Sequence, residues 1–453
     1  VGAMFLSGCS TLSQKQDSAT GLEQDNQSND DTFEQRMKLA RKPYSYVSID
    51  YMDVADGKEE LYLEVERSWE KIHQKLTEEG KILGWGLAKA RKNNFDYEYI
   101  TWKLVRSRGD LDHVYDFDAI KQSMGENKFD NLMSKTTESR KIVGNELLAL
   151  EDYTLPSLPG LGEKNDPNNL YFHFFYMTPT EGKDQEYVEM EKNVFQPRHQ
   201  KMSELTPDFL SWRLYRKIAD SGRANETSYR TLHFHRKDAK PLSNDEQQKV
   251  NLTLPAFPKD LKFEDVMAMR KVERVTFDVI LMTDSSKNAE AKTWKELVGT
   301  WTATNKDGSY RTKTISPYTE QIKMIDSSGE LIHSGKTPMS IEIKNGLKFF
   351  SAHWPNGTYT SVFKIHNDKW YEQTKNILSS NSGKPDIFYI YERSDKPAAI
   401  DRSAFTKKGK DVGLVKAIIE NYAAGKIDEY LALFTEDAKV THNNNEPITI
   451  SEL

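Results

Sequence analysis

His233 and His235 stand two apart in "YRTLHFHRK", a spacing that puts both imidazoles on one face of a β-strand. His173 lies in "LYFHFFYM", a second aromatic, strand-like run. Three imidazoles on neighbouring strands could gather a metal or a haem iron. The competing reading is local hydrogen bonding towards solvent or covering helices. It is favoured, because the matching stretches of an earlier repeat hold only "SID" and "ITW". No metal is therefore assigned, and the three histidines are kept as candidate ligand-pocket residues. His442, in "AKVTHN", is noted as a catalytic candidate; an ordinary strand-end residue is the plainer reading. The single cysteine, Cys9, cannot form an internal disulfide or a Cys-based zinc site. No P-loop, dinucleotide fingerprint, Gly-x-Ser-x-Gly or HExxH segment occurs.

Cys9 closes the run Leu6-Ser7-Gly8-Cys9, after an apolar Val1-Gly2-Ala3-Met4-Phe5. This resembles the lipobox of bacterial lipoprotein precursors, in which the cysteine sulfur receives diacylglycerol before cleavage. The resemblance implies a signal-peptide remnant over 1–9, a lipid anchor at Cys9 and a place in the cell envelope. Ser10, being other than Asp, implies the outer membrane. The basic region of a signal peptide is missing and residue 1 is not Met, so the chain is expected to be clipped at its N-terminus. Residues 10–44 begin with a Ser/Asp/Gln/Asn-rich stretch and are expected to form a disordered tether.

The chain's 63 basic and 69 acidic residues leave a net charge of -6, with no basic stripe to attract nucleic acid. Past the first residues nothing approaches the roughly 18 consecutive apolar residues of a spanning helix. The length predicts two to four domains.

The elements that would carry these side chains repeat. "YMDVADGKEELYLEVERSWEKIHQKL" from Tyr51 matches "YMTPTEGKDQEYVEMEKNVFQPRHQKM" from Tyr176. "LGWGLAKAR" matches "LSWRLYRKI", and the run from Arg140 matches the run from Arg270. His73 and His199 correspond, as do Trp85 and Trp212; a group held in both halves points to packing, although both tryptophans are also candidate pocket walls. Each copy reads strand, helix, strand, strand, helix, strand, the βαββαβ order of a ferredoxin-like unit. Repeat 1 is set at 45–153, a Pro/Gly-rich linker at 154–168 and repeat 2 at 169–284. Their strands carry bulk on both faces, which predicts a second cover. The two sheets are expected to pack against each other, each armoured outside by helices, with aromatic pockets between sheet and helices. In layout this resembles the dimeric α/β-barrel superfamily, which includes antibiotic-biosynthesis-type monooxygenases, here with both halves in one chain.

A polar hinge is placed at 285–292. Short strands separated by Asp307-Gly308, Ser328-Gly329, Asn345-Gly346 and Asn356-Gly357 then predict an up-and-down β-barrel over 293–395. Gly299-Thr300-Trp301 resembles the Gly-x-Trp that opens lipocalin-like barrels, with Trp301 as the plug and a further candidate pocket residue. After a linker at 396–410, two apolar-faced helices and a strand start over 411–453 resemble the opening of a SnoaL-like domain of the nuclear-transport-factor-2-like superfamily. That fold needs far more chain than remains, so the segment is expected to be truncated and poorly packed.

The fold class is thus α+β: an intrachain α/β barrel, an antiparallel barrel and the start of an α+β cone. The function expected first is a lipid-anchored envelope protein binding a small apolar or aromatic molecule, without nucleic acid and with no cofactor assigned. The alternatives are an enzyme, either a cofactor-independent monooxygenase or a SnoaL-like isomerase or hydrolase, and a structural envelope protein with filled pockets.

Overall fold

The computed structural model describes residues 32–394 apart from 92–94, 156–165, 222–226, 241, 260, 345, 367 and 375–386, and two short strands further on. Cys9, His442, the predicted linker at 396–410 and the predicted helices of the C-terminal segment lie outside the described residues. Val1–Glu392 and Arg393–Leu453 separate as two units. Beyond Ser394 only the antiparallel pair Lys439–Val440 and Ile448–Thr449 is described.

The chain enters through α1 (Phe33–Ala40), whose first turn is closed by a capping box between Thr32 and Gln35. The tether predicted to reach residue 44 therefore ends earlier: the cap satisfies the helix's free N–H groups, and Tyr44 is buried in the first barrel. That barrel's first half runs β1 (Tyr46–Val54), α2 (Glu59–Glu78), β2 (Gly84–Ala90), β3 (Tyr99–Val105), α3 (Phe117–Met124), α4 (Glu126–Ser139) and β4 (Arg140–Tyr153). The second half runs β5 (Leu170–Pro179), α5 (Asp184–Met190), α6 (Gln196–Leu205), β6 (Phe209–Ser221), β7 (Tyr229–Arg236), α7 (Asn244–Thr253), α8 (Phe263–Ala268) and β8 (Arg270–Met282).

Each half orders its strands alike, β4-β1-β3-β2 and β8-β5-β7-β6. The expected intrachain barrel is present, and the two sheets, expected to press face to face, join edge to edge to form it. β2 pairs with β8 and β4 with β6, both antiparallel, and the eight strands close into one barrel. Closure satisfies the backbone groups that four sheet edges would leave open. It also explains the bulk on both strand faces. Val47, Ile49, Phe172, Phe174, Phe234 and Phe277 fill the barrel interior. Outside, Val65, Trp69, Ile72 and Leu76 of α2 pack on Trp85, Leu87 and Tyr99. Tyr187 and Met190 of α5 pack on Trp212, Leu214 and Tyr229.

Matched polar groups mark the two joints. The Thr283 hydroxyl, after β8, accepts from the Trp85 backbone N–H at 3.0 Å. The Thr154 hydroxyl, after β4, accepts from that of Trp212 at 2.9 Å. Each half thus clasps the other's tryptophan strand. Beneath the helices the trio Tyr62, Glu66 and Arg140 has its counterpart in Tyr187, Glu191 and Arg270, with glutamate and arginine 3.4 Å apart in one half and 3.5 Å in the other.

Glu191 sits in this buried layer with an oxygen that accepts no hydrogen bond. Burial pushes its carboxyl up to about 7, only partly offset by Arg270. The unfolded chain ionises this group near 4.5, so stability held below that pH falls as the pH rises towards 7. Glu191→Gln is expected to remove this dependence. The wild type should lose at most about 3 kcal/mol relative to the variant between pH 4.5 and 7.5, read from urea midpoints.

The segment predicted as a polar hinge is packed rather than loose. The Asp284 N–H donates to the Gln74 side chain, and the Asn288 amide donates to the Leu83 carbonyl. It leads into α9 (Ala289–Leu297) and a second closed barrel: β9 (Gly299–Thr304), β10 (Tyr310–Ser316), β11 (Thr319–Ile325), β12 (Leu331–Lys344), β13 (Leu347–Trp354), β14 (Gly357–His366), β15 (Lys369–Thr374) and β16 (Ile387–Arg393). The meander follows chain order from the β9–β10 pair onward and closes between β16 and β9. Gly308 and Gly329 adopt φ of +87° and +91°, as the turns after β9 and β11 require. The two barrels touch: Arg106 beyond β3 ion-pairs with Glu290 of α9 at 2.6 Å, and Arg41 lies over the Tyr318 ring. No helix among the described residues is long and apolar enough to cross a membrane.

Candidate functional site

The first barrel holds a cavity of about 170 Å3. Val47, Ile49, Trp102, Phe172, Phe174, Leu232 and Phe234 wall it, and Pro43, Leu83, Met282 and Ser285 lie at the strand ends around it. It sits within the barrel, not between sheet and helices as the sequence predicts. Edge-to-edge closure creates an interior, whereas rings fill the space beneath the helices. His73 of α2 stacks on Trp85 at 4.6 Å and His199 of α6 stacks on Trp212 at 5.5 Å.

Period-two alternation decides where each candidate falls. Leu170, Phe172, Phe174 and Tyr176 belong to the interior cluster, so His173, between them on β5, points outward. Phe234 of β7 belongs to it as well, so His233 and His235 point outward too. The three do gather, together with His199: His173 and His235 are 5.2 Å apart between ring centres, and His199 and His233 are 4.7 Å apart. They gather against the covering helix rather than on the cavity. His173 shares a hydrogen bond with Thr276 at 2.9 Å, and His235 stacks on Tyr171. Burial lowers every one of these imidazoles, His173 to about 4 and His199 to about 3, so at neutral pH they are uncharged. No group of three or more His, Cys, Asp or Glu among the described residues is disposed to hold a metal.

His73 is fully satisfied. Its Nδ1–H donates to the Trp69 carbonyl at 2.8 Å, which leaves Nε2 to accept from the Tyr115 hydroxyl at 2.6 Å. Of the tryptophans expected on a pocket, Trp85 borders the cavity and Trp212 does not. Trp301 lies in the second barrel, where its indole N–H donates to the Leu297 carbonyl at 2.7 Å and its ring meets Trp370 edge-on. The interior of that barrel is occupied by Trp301, Phe350, Phe363, Trp370 and Tyr391. Among these rings Lys313 is buried between Glu320 and Glu372, at 2.9 Å from each.

The polar end of the first barrel's cavity comes from residues that sequence reasoning passed over: Arg213 and Tyr215 on β6, and Tyr44 just before β1. Arg213 is buried and donates to the Tyr44 hydroxyl, which lies 2.5 Å from that of Tyr215. The signal was present. Arg213 stands where the matched run of the first half has Gly86, and on β6 it shares a face with Tyr215. Because both strand faces are apolar, alternation alone could not say which face the arginine takes.

Gly86 explains the opposite wall. It is paired with Trp102 across the strands, as Arg213 is with Leu232. A Cβ on Gly86 would lie 2.1 Å from the Trp102 ring. Gly86→Ala must push that indole away, and the adjoining free space is the cavity. The variant is expected to lose about 1–3 kcal/mol of stability and to lose cavity binding, as measured by thermal unfolding with and without toluene.

No protein family matches the chain, and no curated protein matches it. Solved structures do. An anthrone oxidase-like protein is 14% identical over 54% of this chain and 95% of its own, with a TM-score of 0.33. A heme-binding protein from Thermus thermophilus is 10% identical over 52% of this chain and 92% of its own, with a TM-score of 0.29. A mutant of the fluorescent protein UnaG is 12% identical over 22% of this chain and 97% of its own, with a TM-score of 0.16. At these identities and scores the likeness assigns no activity to this chain.

Proposed function

We propose that the first barrel is a receptor for one small apolar or aromatic molecule, on a protein moored to the bacterial envelope through lipid at Cys9. The single supporting observation is the cavity: about 170 Å3, walled mainly by aliphatic and aromatic side chains. An apolar protein cavity of about 150 Å3 stays dry and accepts benzene, so a single ring is the right scale of guest. Among the described residues that line it there is no carboxylate and no imidazole. Arg213, Tyr44 and Tyr215 are the ionisable groups there, and burial holds the Tyr44 phenol well above its ordinary value. A general base is therefore missing from these walls, which favours binding over catalysis. The paired motifs of the two halves support their origin by internal duplication. The second barrel is read as lipocalin-like, and the chain from residue 411 as a SnoaL-like start.

The test is thermal unfolding of the full chain with toluene, indole and naphthalene. Binding to the native state alone raises the midpoint by mass action. A rise that grows with ligand concentration is expected for toluene; no shift with any of the three overturns the receptor. Oxygen uptake dependent on a bound ring would move the reading to a monooxygenase. The anchor is tested separately by labelling cells with an alkyne fatty acid: Cys9→Ser should abolish the label, and an unlabelled wild type overturns the anchor.

A further inference from the structure

Among the described residues two arginines, Arg230 and Arg213, are buried on the inner face of the first barrel, and only Arg230 is paired with a carboxylate. Arg230 is gripped by Glu146 through two hydrogen bonds, Nη2 to Oε1 at 2.5 Å and Nε to Oε2 at 3.2 Å. Arg213 is 7% exposed and lies against the cavity, yet among the described residues no carboxylate pairs with it. Its neighbours are the hydroxyls of Tyr44 and Tyr215. The Tyr44 phenol stays protonated because burial raises it, so it supplies no negative charge.

The hydrogen bonds can be counted. Arg213 donates to the Tyr44 oxygen. One hydroxyl proton lies between the two phenol oxygens, 2.5 Å apart. The second hydroxyl proton has no partner within the trio, and neither does the Nε–H of Arg213. At least two donors beside a fixed positive charge, the Nε–H and one hydroxyl, are thus left unmet within the trio that borders the apolar cavity. A buried donor left unmet is costly, and a charged one more so. A guest with an anionic acceptor at one end would meet both donors and the charge together.

We infer that the guest of the first barrel is a small amphipathic acid: a single ring or short alkyl group in the cavity, with a carboxylate on Arg213 and one of the two tyrosine hydroxyls. This rests on the receptor reading above and narrows it to one chemical class. Arg213 occupies the place taken by Gly86 in the other half, so the charge stands at one end only and sets the direction of entry. Trp102, lying over Gly86, supplies the flat wall for the ring.

The experiment compares benzoate, benzamide and toluene by calorimetry on the full chain at pH 7.5. Benzoate is expected to bind about tenfold or more tighter than benzamide, since a hydrogen bond to a charged group outweighs a neutral one by that order. Arg213→Met should erase the preference, read as the ratio of benzoate to benzamide affinity within the variant, so that any change in the apolar cavity common to both cancels. Arg213→Lys, which keeps the charge but loses the planar fork, should retain part of the preference and serves if the methionine variant does not fold. Benzoate binding no tighter than benzamide in the wild type overturns the inference, as does a preference that survives Arg213→Met. Toluene binding without a benzoate preference leaves the receptor standing and removes only the acid. Binding of none of the three removes both.

Discussion

Glu146→Ala is expected to cost the first barrel about 3–5 kcal/mol, the usual consequence of stranding one member of a buried ion pair. Arg230 would be left fully buried, its fork still aimed at the vacated position on β4. Burial works against the guanidinium's charge, and the carboxylate of Glu146 outweighs it, lifting Arg230 above its ordinary value. Tyr51 would also lose its acceptor, since its hydroxyl donates to Glu146 at 3.0 Å and is linked through Tyr176 to Tyr97. The network spans β1, β4, β5 and β7, so both halves of the barrel share the loss. The control is Glu146→Leu combined with Arg230→Met. Removing both charges together should restore most of the stability, because a buried pair often does little better than apolar residues of its size. A double-variant cycle in urea measures the coupling. A single-variant loss below about 1 kcal/mol would mean that water reaches the site and the pair is not buried in solution.

The second large effect is expected in the other barrel. Lys313→Met should destabilise it by about 3–5 kcal/mol, because Glu320 and Glu372 would then face each other without the ammonium that separates them. Lys313 is held above its ordinary range: burial opposes its charge, but both carboxylates outweigh the burial. Its ammonium also lies 4.4 Å from the centre of the Phe350 ring and 4.8 Å from that of Trp370, contacts that methionine replaces only in part. Thermal unfolding of both proteins at pH 7.5 checks the loss, and a change below about 1 kcal/mol would mean that water reaches these charges in solution.

Much of the architecture was legible along the chain. The stripe of Val65, Trp69, Ile72 and Leu76 marks α2 and its buried face, and the Asp-Gly and Ser-Gly pairs fall at turns of the second barrel. The correspondence of His73 with His199 pointed to packing, and both are found stacked on matched tryptophans. These features are local, set by residue period and turn chemistry within one element. What could not be read was the partner of each strand edge. Nothing in β2 or β4 says whether its free edge faces water, a second sheet's face or another edge.

That single unknown moved the site. With edges joined, inward positions such as Ile49, Phe172 and Phe234 surround a cavity, and His173, His233 and His235 turn to the helices. Arg213, one of three cations in "LSWRLYRKI", becomes the charged end of an apolar chamber. Hydrophobic period and turn residues act over a few positions, so the elements, their matched order in two halves and the meander that follows can be read along the chain. Which face is interior, which buried charges find a counter-ion and where space is left are settled by the folded arrangement alone. Those depend on closure, which brings residues more than a hundred positions apart into hydrogen-bonding distance.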